Sequence, residues 1–152
     1  MTLREEVISI LNELLETSID GEEGFRKAAE DAQNVGLKAY FMSRSEELSQ
    51  SIEELQNLVI SFGGKPTHSS SLSGSLHRHW IELKTAISNN DSVTVMDETE
   101  RGEDAALANY RKAAQKNLPE NVRSVVERQL EGILRNHNRV KQLRDNTREL
   151  RN

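Results

Sequence analysis

The chain has 152 residues, 35% hydrophobic and 30% charged, with a formal charge of −5 and no cysteine. That length suits a single domain (1–152) with one core, and the apolar-poor composition fits long amphipathic helices that each bury one stripe. Disulfides, thiolate metal sites and thiol nucleophiles are excluded, the acidic balance argues against a protein devoted to polyanions, and no apolar run approaches the roughly 20 residues of a membrane span.

The first predicted helix covers 3–32, with Val7, Leu11, Leu14, Ser18, Gly21, Phe25, Ala28 and Ala32 along one face. Asp20-Gly21-Glu22-Glu23 offers a capping box for a second helix, but the seam keeps its phase there, which favours one continuous helix able to bend. A tight turn near 34–36 leads to a helix over 37–62. Its seam is Leu37, Phe41, Arg44, Leu48, Ser51, Leu55, Leu58 and Phe62, and Gly63-Gly64 stops it. Residues 65–75, rich in Pro, Ser, His and Gly, form the one long linker, sized for a crossover rather than a hairpin.

A short helix over 75–88 places Leu76, Trp80, Leu83 and Ile87 on one face, and Asn89-Asn90-Asp91 ends it. The next helix spans 92–117, with Met96, Thr99, Glu103, Ala106, Tyr110 and Ala113 in its seam. Leu118-Pro119 restarts the chain, proline suiting a first helical turn. A last helix over 119–148 turns Val122, Val126, Gln129, Ile133, Asn136 or His137, Val140 and Leu143 inward. There is no strand signal and no internal repeat. The class is all-α, and two antiparallel hairpins joined by a long crossover carrying a short extra helix is the ferritin-like arrangement among four-helix bundles.

Two of these seams contain a charge. Helical spacing points both Arg44 and Glu103 into the bundle, and a buried charge is costly unless it is paired. An antiparallel register puts Phe25 opposite Arg44, Glu22 opposite Glu47, Ser18 opposite Ser51, Glu103 near Ile133, and Thr99 and Glu100 near His137. The expectation is a buried network in which Arg44 donates to Glu103, with Glu22 or Glu47 as second acceptor and Gln129 in the same polar interior. Arginine suits this role because its planar fork reaches two carboxylates and it cannot escape by deprotonating. Gly21 and Gly102 each sacrifice about 1 kcal/mol of helix propensity relative to alanine, and both are expected to make room at this level.

A metal reading competes with the ion-pair reading. Ferritin-like di-iron sites take a Glu from each of two helices and a Glu-x-x-His pair from each of the other two. Glu22, Glu47, Glu100, Glu103 and His137 are the available ligands, with iron or manganese as the ion. Glu47-Leu48-Ser49-Gln50 has Gln where His is needed, and Leu134-Arg135-Asn136-His137 has Leu where Glu is needed. Arg44 would also set a permanent cation beside two dications. A reduced version holds one ion on Glu100, Glu103 and His137. His77 and His79, two residues apart, face different ways on a helix and chelate poorly.

Other residues read more simply. Trp80 is expected to seal the bundle with its short helix, and His68 to be solvated in the crossover. No nucleophile with a neighbouring base, phosphate-binding glycine loop or nucleophile elbow is present. The basic surplus beyond Val122 (Arg128, Arg135, Arg139, Lys141, Arg144 and Arg148) reads as a solvated helix face. Weak nucleic-acid association through that face is the rival reading.

Gly74-Ser75-Leu76-His77-Arg78-His79-Trp80, followed by Leu83-Lys84, Glu100-Arg101-Gly102-Glu103-Asp104 and Tyr110, resembles a bacterial family of uncharacterised ferritin-like four-helix bundles. Arg44, Glu47, Leu118-Pro119, Gln129, His137 and Leu143-Arg144-Asp145 fit the same pattern. The resemblance extends from the first helix to about Asp145. It implies a fold and a superfamily but no reaction, because the family is known as a domain of unknown function, and iron chemistry drawn from the fold alone is analogy. The opening Met-Thr-Leu-Arg-Glu-Glu lacks the apolar stretch of a signal peptide, so a cytoplasmic protein is expected. Its expected role is non-catalytic, stress-associated or scaffolding, with a metal-free interior and a homodimer or another protein as partner. The rival is a metal-binding protein with oxidase or storage activity.

Overall fold

The computed structural model describes residues 1–69 and 75–151, with side chains for 1–69 and 78–145. Residues 70–74 of the expected crossover and the side chain of His77 lie outside the described residues. Among the described residues five helices follow one another: α1 (Leu3–Asp31), α2 (Val35–Ser61), α3 (Ser75–Ser88), α4 (Ser92–Ala114) and α5 (Glu120–Arg151). α1 pairs along α2, α4 pairs along α5, and α3 lies across α1 and α4. Among the described residues there is no strand, and no helix is long and apolar enough to cross a membrane.

Local chemistry sets the helix ends. Thr2 caps α1 in a reciprocal capping box with Glu5. α1 then runs unbroken through Asp20–Glu23, because its apolar seam continues there and Gly21 lets α2 approach closely. A Cβ on Gly21 would stand 3.0 Å from Leu48 Cδ1. The Asn34 side chain accepts from the Leu37 N–H at 3.0 Å, so α2 begins at Val35, two residues before the predicted start. It stops at Gly63, whose φ of +81° is open mainly to glycine, while the Gly64 N–H reaches back to the Val59 carbonyl. α4 ends at Ala114 rather than near residue 117. The residue before a proline avoids helical backbone, and Arg123 satisfies the freed carbonyls by donating to Ala114 O and Lys116 O.

The apolar core is divided. At one end Leu11, Leu15, Leu55, Val59, Tyr110, Val122 and Val126 pack together. At the other, Phe25, Tyr40, Phe41, Leu83, Met96 and Val140 do so, sealed by Trp80. Between them lie buried polar groups at two adjoining levels, Arg44, Glu103 and Asn136 at one and Ser18 and Gln129 at the next. The α2–α5 seam is bridged by long polar side chains: Arg128 pairs with Glu54, Asn136 with Glu47, and the Arg139 guanidinium sits over the Tyr40 ring. Burial ends the ambiguity on the last helix: Asn136 is the inward residue, and His137 is only half-buried at the edge.

Candidate functional site

Arg44 projects from the middle of α2 into the divided core and is 3% exposed. Its Nε donates to Glu103 Oε1 at 3.1 Å and its Nη2 to Glu103 Oε2 at 3.3 Å, a two-point clasp on a carboxylate that is 1% exposed. The remaining arm donates from Nη1 to Glu47 Oε2 at 3.0 Å, and the Asn136 amide donates to the same oxygen at 2.9 Å. The Glu47 side chain is 46% exposed, so this arm is screened by water and the Glu103 arm is not. The Phe25 ring packs on the guanidinium, 5.4 Å from its centre. All four long helices contribute to this level.

Burial alone would disfavour the charge on Arg44. Attraction to Glu103, and then to Tyr40, reverses this and holds the guanidinium more basic than usual. Burial pushes the Glu103 carboxyl above the usual carboxylate range, against the opposing pull of Arg44. A folded-state value raised in this way means that Glu103 takes up a proton more readily in the folded chain than in the unfolded one. This acid therefore does not drive unfolding as pH falls.

One layer away, the Tyr110 hydroxyl donates to Gln129 Oε1 at 2.7 Å and lies 3.2 Å from Ser18 Oγ. The Gln129 amide donates to Glu54 Oε1 at 2.8 Å. Burial pushes Tyr110 up to about 12. The folded chain thus keeps a proton that the unfolded chain gives up near pH 10. The resulting stability is complete below that value and is lost as pH climbs toward about 12, on the order of 2–3 kcal/mol. Tyr110→Phe should lose about 1–3 kcal/mol at neutral pH, because Gln129 and Ser18 lose a buried partner. Its urea midpoint should then fall less steeply in alkali than that of the wild type. An equally steep fall in both proteins would contradict this assignment.

The residues singled out from sequence divide into separate groups. Arg44, Glu103 and Glu47 come together. Glu22 does not join them; it accepts from Arg26 one turn along α1 at 3.2 Å and from Ser45 at 3.3 Å, because its phase sets it at the outer edge of the α1–α2 pairing. Gln129 lies in the Tyr110 layer and does not touch Arg44. Glu100 and His137 meet at the side of α4 and α5, with Asp104 and not Glu103 as the third group. There His137 Nε2 pairs with Asp104, and Arg144 donates to Glu100. Glu103 is absent because the clasp on Arg44 turns its carboxylate to the bundle axis. The five candidate ligands Glu22, Glu47, Glu100, Glu103 and His137 thus do not converge.

A second group of metal-ligating side chains, His79, Glu82 and Glu98, lies between α3 and α4. The sequence carried a signal for it, since His79 and Glu82 are three apart on one helix and share a face. Their α4 partner belongs to a different helix, so sequence spacing does not reveal it.

Comparison with known proteins adds the following. The family model described as "Domain of unknown function (DUF2383)" matches residues 6–116, from α1 to just past α4. No curated protein matches the sequence. Among solved structures, a two-domain protein from Anabaena variabilis containing DJ-1/ThiJ/PfpI-like and ferritin-like domains superposes with a TM-score of 0.78 at 15% identity. The alignment covers 97% of this chain and 38% of that one. At that identity the likeness shows the fold alone: an all-α, ferritin-like helical bundle. With well over half of its length matched, the chain belongs to the family of the domain of unknown function DUF2383.

Proposed function

We propose that this protein is a non-catalytic bundle, a scaffolding or stress-associated module of the cytoplasm that acts through its outer helix faces as a homodimer or with another protein. In this reading the Arg44–Glu103 pair stands in place of a di-iron site. The observation that carries it is a permanent cation clasped at two points by the most buried carboxylate of the centre. Two dications in the same space would face that charge at short range in a low-dielectric interior. The Anabaena variabilis protein, in which a ferritin-like domain accompanies a domain of another kind, supports the idea of such a bundle as a module. The formal charge of −5 weighs against a role in binding nucleic acid.

The test supplies ferrous iron and oxygen to protein purified without a histidine tag. No iron-dependent oxygen consumption and no pair of irons per chain are expected, and sedimentation should show a dimer. Two irons per chain with oxygen consumption, both abolished by Glu103→Ala, would establish the oxidase or storage reading instead.

A further inference from the structure

We infer that His79, Glu82 and Glu98 form a site for a single divalent zinc-class ion that fastens α3 to α4. His79 and Glu82 stand one helical turn apart on α3, and their ligand atoms lie within 4.8 Å of one another and of the Glu98 carboxylate. His79 Nδ1 and Glu98 Oε2 are 3.3 Å apart. That is the spacing of two ligand atoms on one tetrahedral ion with bonds of about 2.0–2.1 Å. One imidazole and two carboxylates, without thiolate, suit zinc and leave a fourth position for water.

Glu98 is the second, independent sign. Only 5% exposed, it is a buried carboxylate with Oε1 held by Arg101 at 2.6 Å and Oε2 turned to His79. Arg101 is 58% exposed, so it compensates that charge only from the solvent side. A carboxylate with one oxygen oriented by a neighbouring donor and the other facing an imidazole is a supported metal ligand. The Glu100, Asp104 and His137 group differs in burial, its Glu100 and Asp104 side chains being 16% and 54% exposed against 6% for Glu98. Arg144 sits within it and donates to Glu100, and the His137–Asp104 contact uses the remaining groups. The proposed site lies apart from Arg44, Glu47 and Glu103, so its failure would leave the reading of the bundle centre untouched.

The experiment titrates chelator-treated, tag-free full chain with Zn2+ alone in a calorimeter, with thermal unfolding recorded in parallel. One ion per chain and a rise in melting temperature are expected, because a ligand bound only by the folded state stabilises it. Both His79→Ala and Glu82→Gln should weaken binding at least tenfold and remove the rise, whereas His137→Ala should leave both unchanged. Glu82 is exposed, so its variant tests the site without endangering the fold. X-ray absorption of the bound ion should show a shell of nitrogen and oxygen with one imidazole. Absence of binding, wild-type affinity in both variants, or loss of binding in His137→Ala would each overturn the proposal.

Discussion

Arg44→Met should destabilise the protein by about 3–5 kcal/mol, a fall in melting temperature of roughly 10 °C. The substitution keeps an unbranched side chain of similar length but strands the Glu103 carboxylate, 1% exposed, without its clasp. Combining it with Glu103→Leu should restore most of the loss. A buried ion pair exchanged for well-packed apolar groups is commonly neutral or stabilising, while half a pair is not. The double-mutant cycle measures this coupling directly. Glu103→Gln should fall between these variants, since it keeps an oxygen acceptor for Arg44 and loses the charge. Additive single-variant effects, with no recovery in the double variant, would show that the two groups do not depend on each other.

Gly24→Ala is expected to have the second large effect, and it runs against helix propensity. Alanine gains about 1 kcal/mol over glycine in a helix interior, yet a Cβ here would lie 2.3 Å from Trp80 Cδ2 and 2.4 Å from Cε3. The clash falls on the middle of a rigid ring, so the whole indole must leave the face of α1. It would give up its edge-on contact with Phe25, 5.0 Å between centroids, and its seat over Gly102. The net cost should be about 1–3 kcal/mol, in the range for overpacked cores. Trp80 is the only tryptophan, so its emission should shift to longer wavelength and become more open to quenchers. Adding Trp80→Leu should recover stability by freeing the space. Gly132→Ala is the control: its Cβ would meet only Arg135 Nη2, at 3.7 Å, and up to about 1 kcal/mol of stabilisation is expected. Unchanged fluorescence and higher stability in Gly24→Ala would contradict the packing described here.

Helical periodicity made the long seams legible. Every position assigned to the first seam, from Val7 to Ala32, is buried. Arg44 and Glu103 stood out because a charge inside an apolar stripe breaks a strong local pattern, and a fully buried charge needs a partner. Side-chain choices at the edges of the stripes were harder to read. Asn136 and His137 differ by one helical step, and only packing across α2 selected Asn136, which reaches Glu47. Glu22 had an acceptor's position by register, but Arg26 and Ser45 lay closer than Arg44.

The remaining features depend on where the crossover places α3, which local pattern does not encode. Gly24 looks unremarkable in sequence until Trp80 arrives from a helix more than fifty residues later. Gly102 was expected to make room at the polar level, either for close helix approach or for bulky polar side chains, and its open face meets the same indole, at 3.5 Å. His79 was weighed against His77, its neighbour in sequence, while its actual companions are Glu82 and a carboxylate on another helix. The basic surplus of α5 read as a solvated face, and Arg128, Arg135, Arg139 and Lys141 are exposed; what the pattern did not show is that Arg128 and the half-buried Arg144 also pair with carboxylates on α2 and α4.

Anomalous diffraction from crystals grown with manganese bears most directly on what fills the middle of the bundle. The Arg44 guanidinium should lie within hydrogen-bonding distance of both Glu103 oxygens, with no anomalous peak between α2 and α4. Two peaks bridged by Glu103 and Glu47, with the guanidinium swung out to solvent, would contradict it.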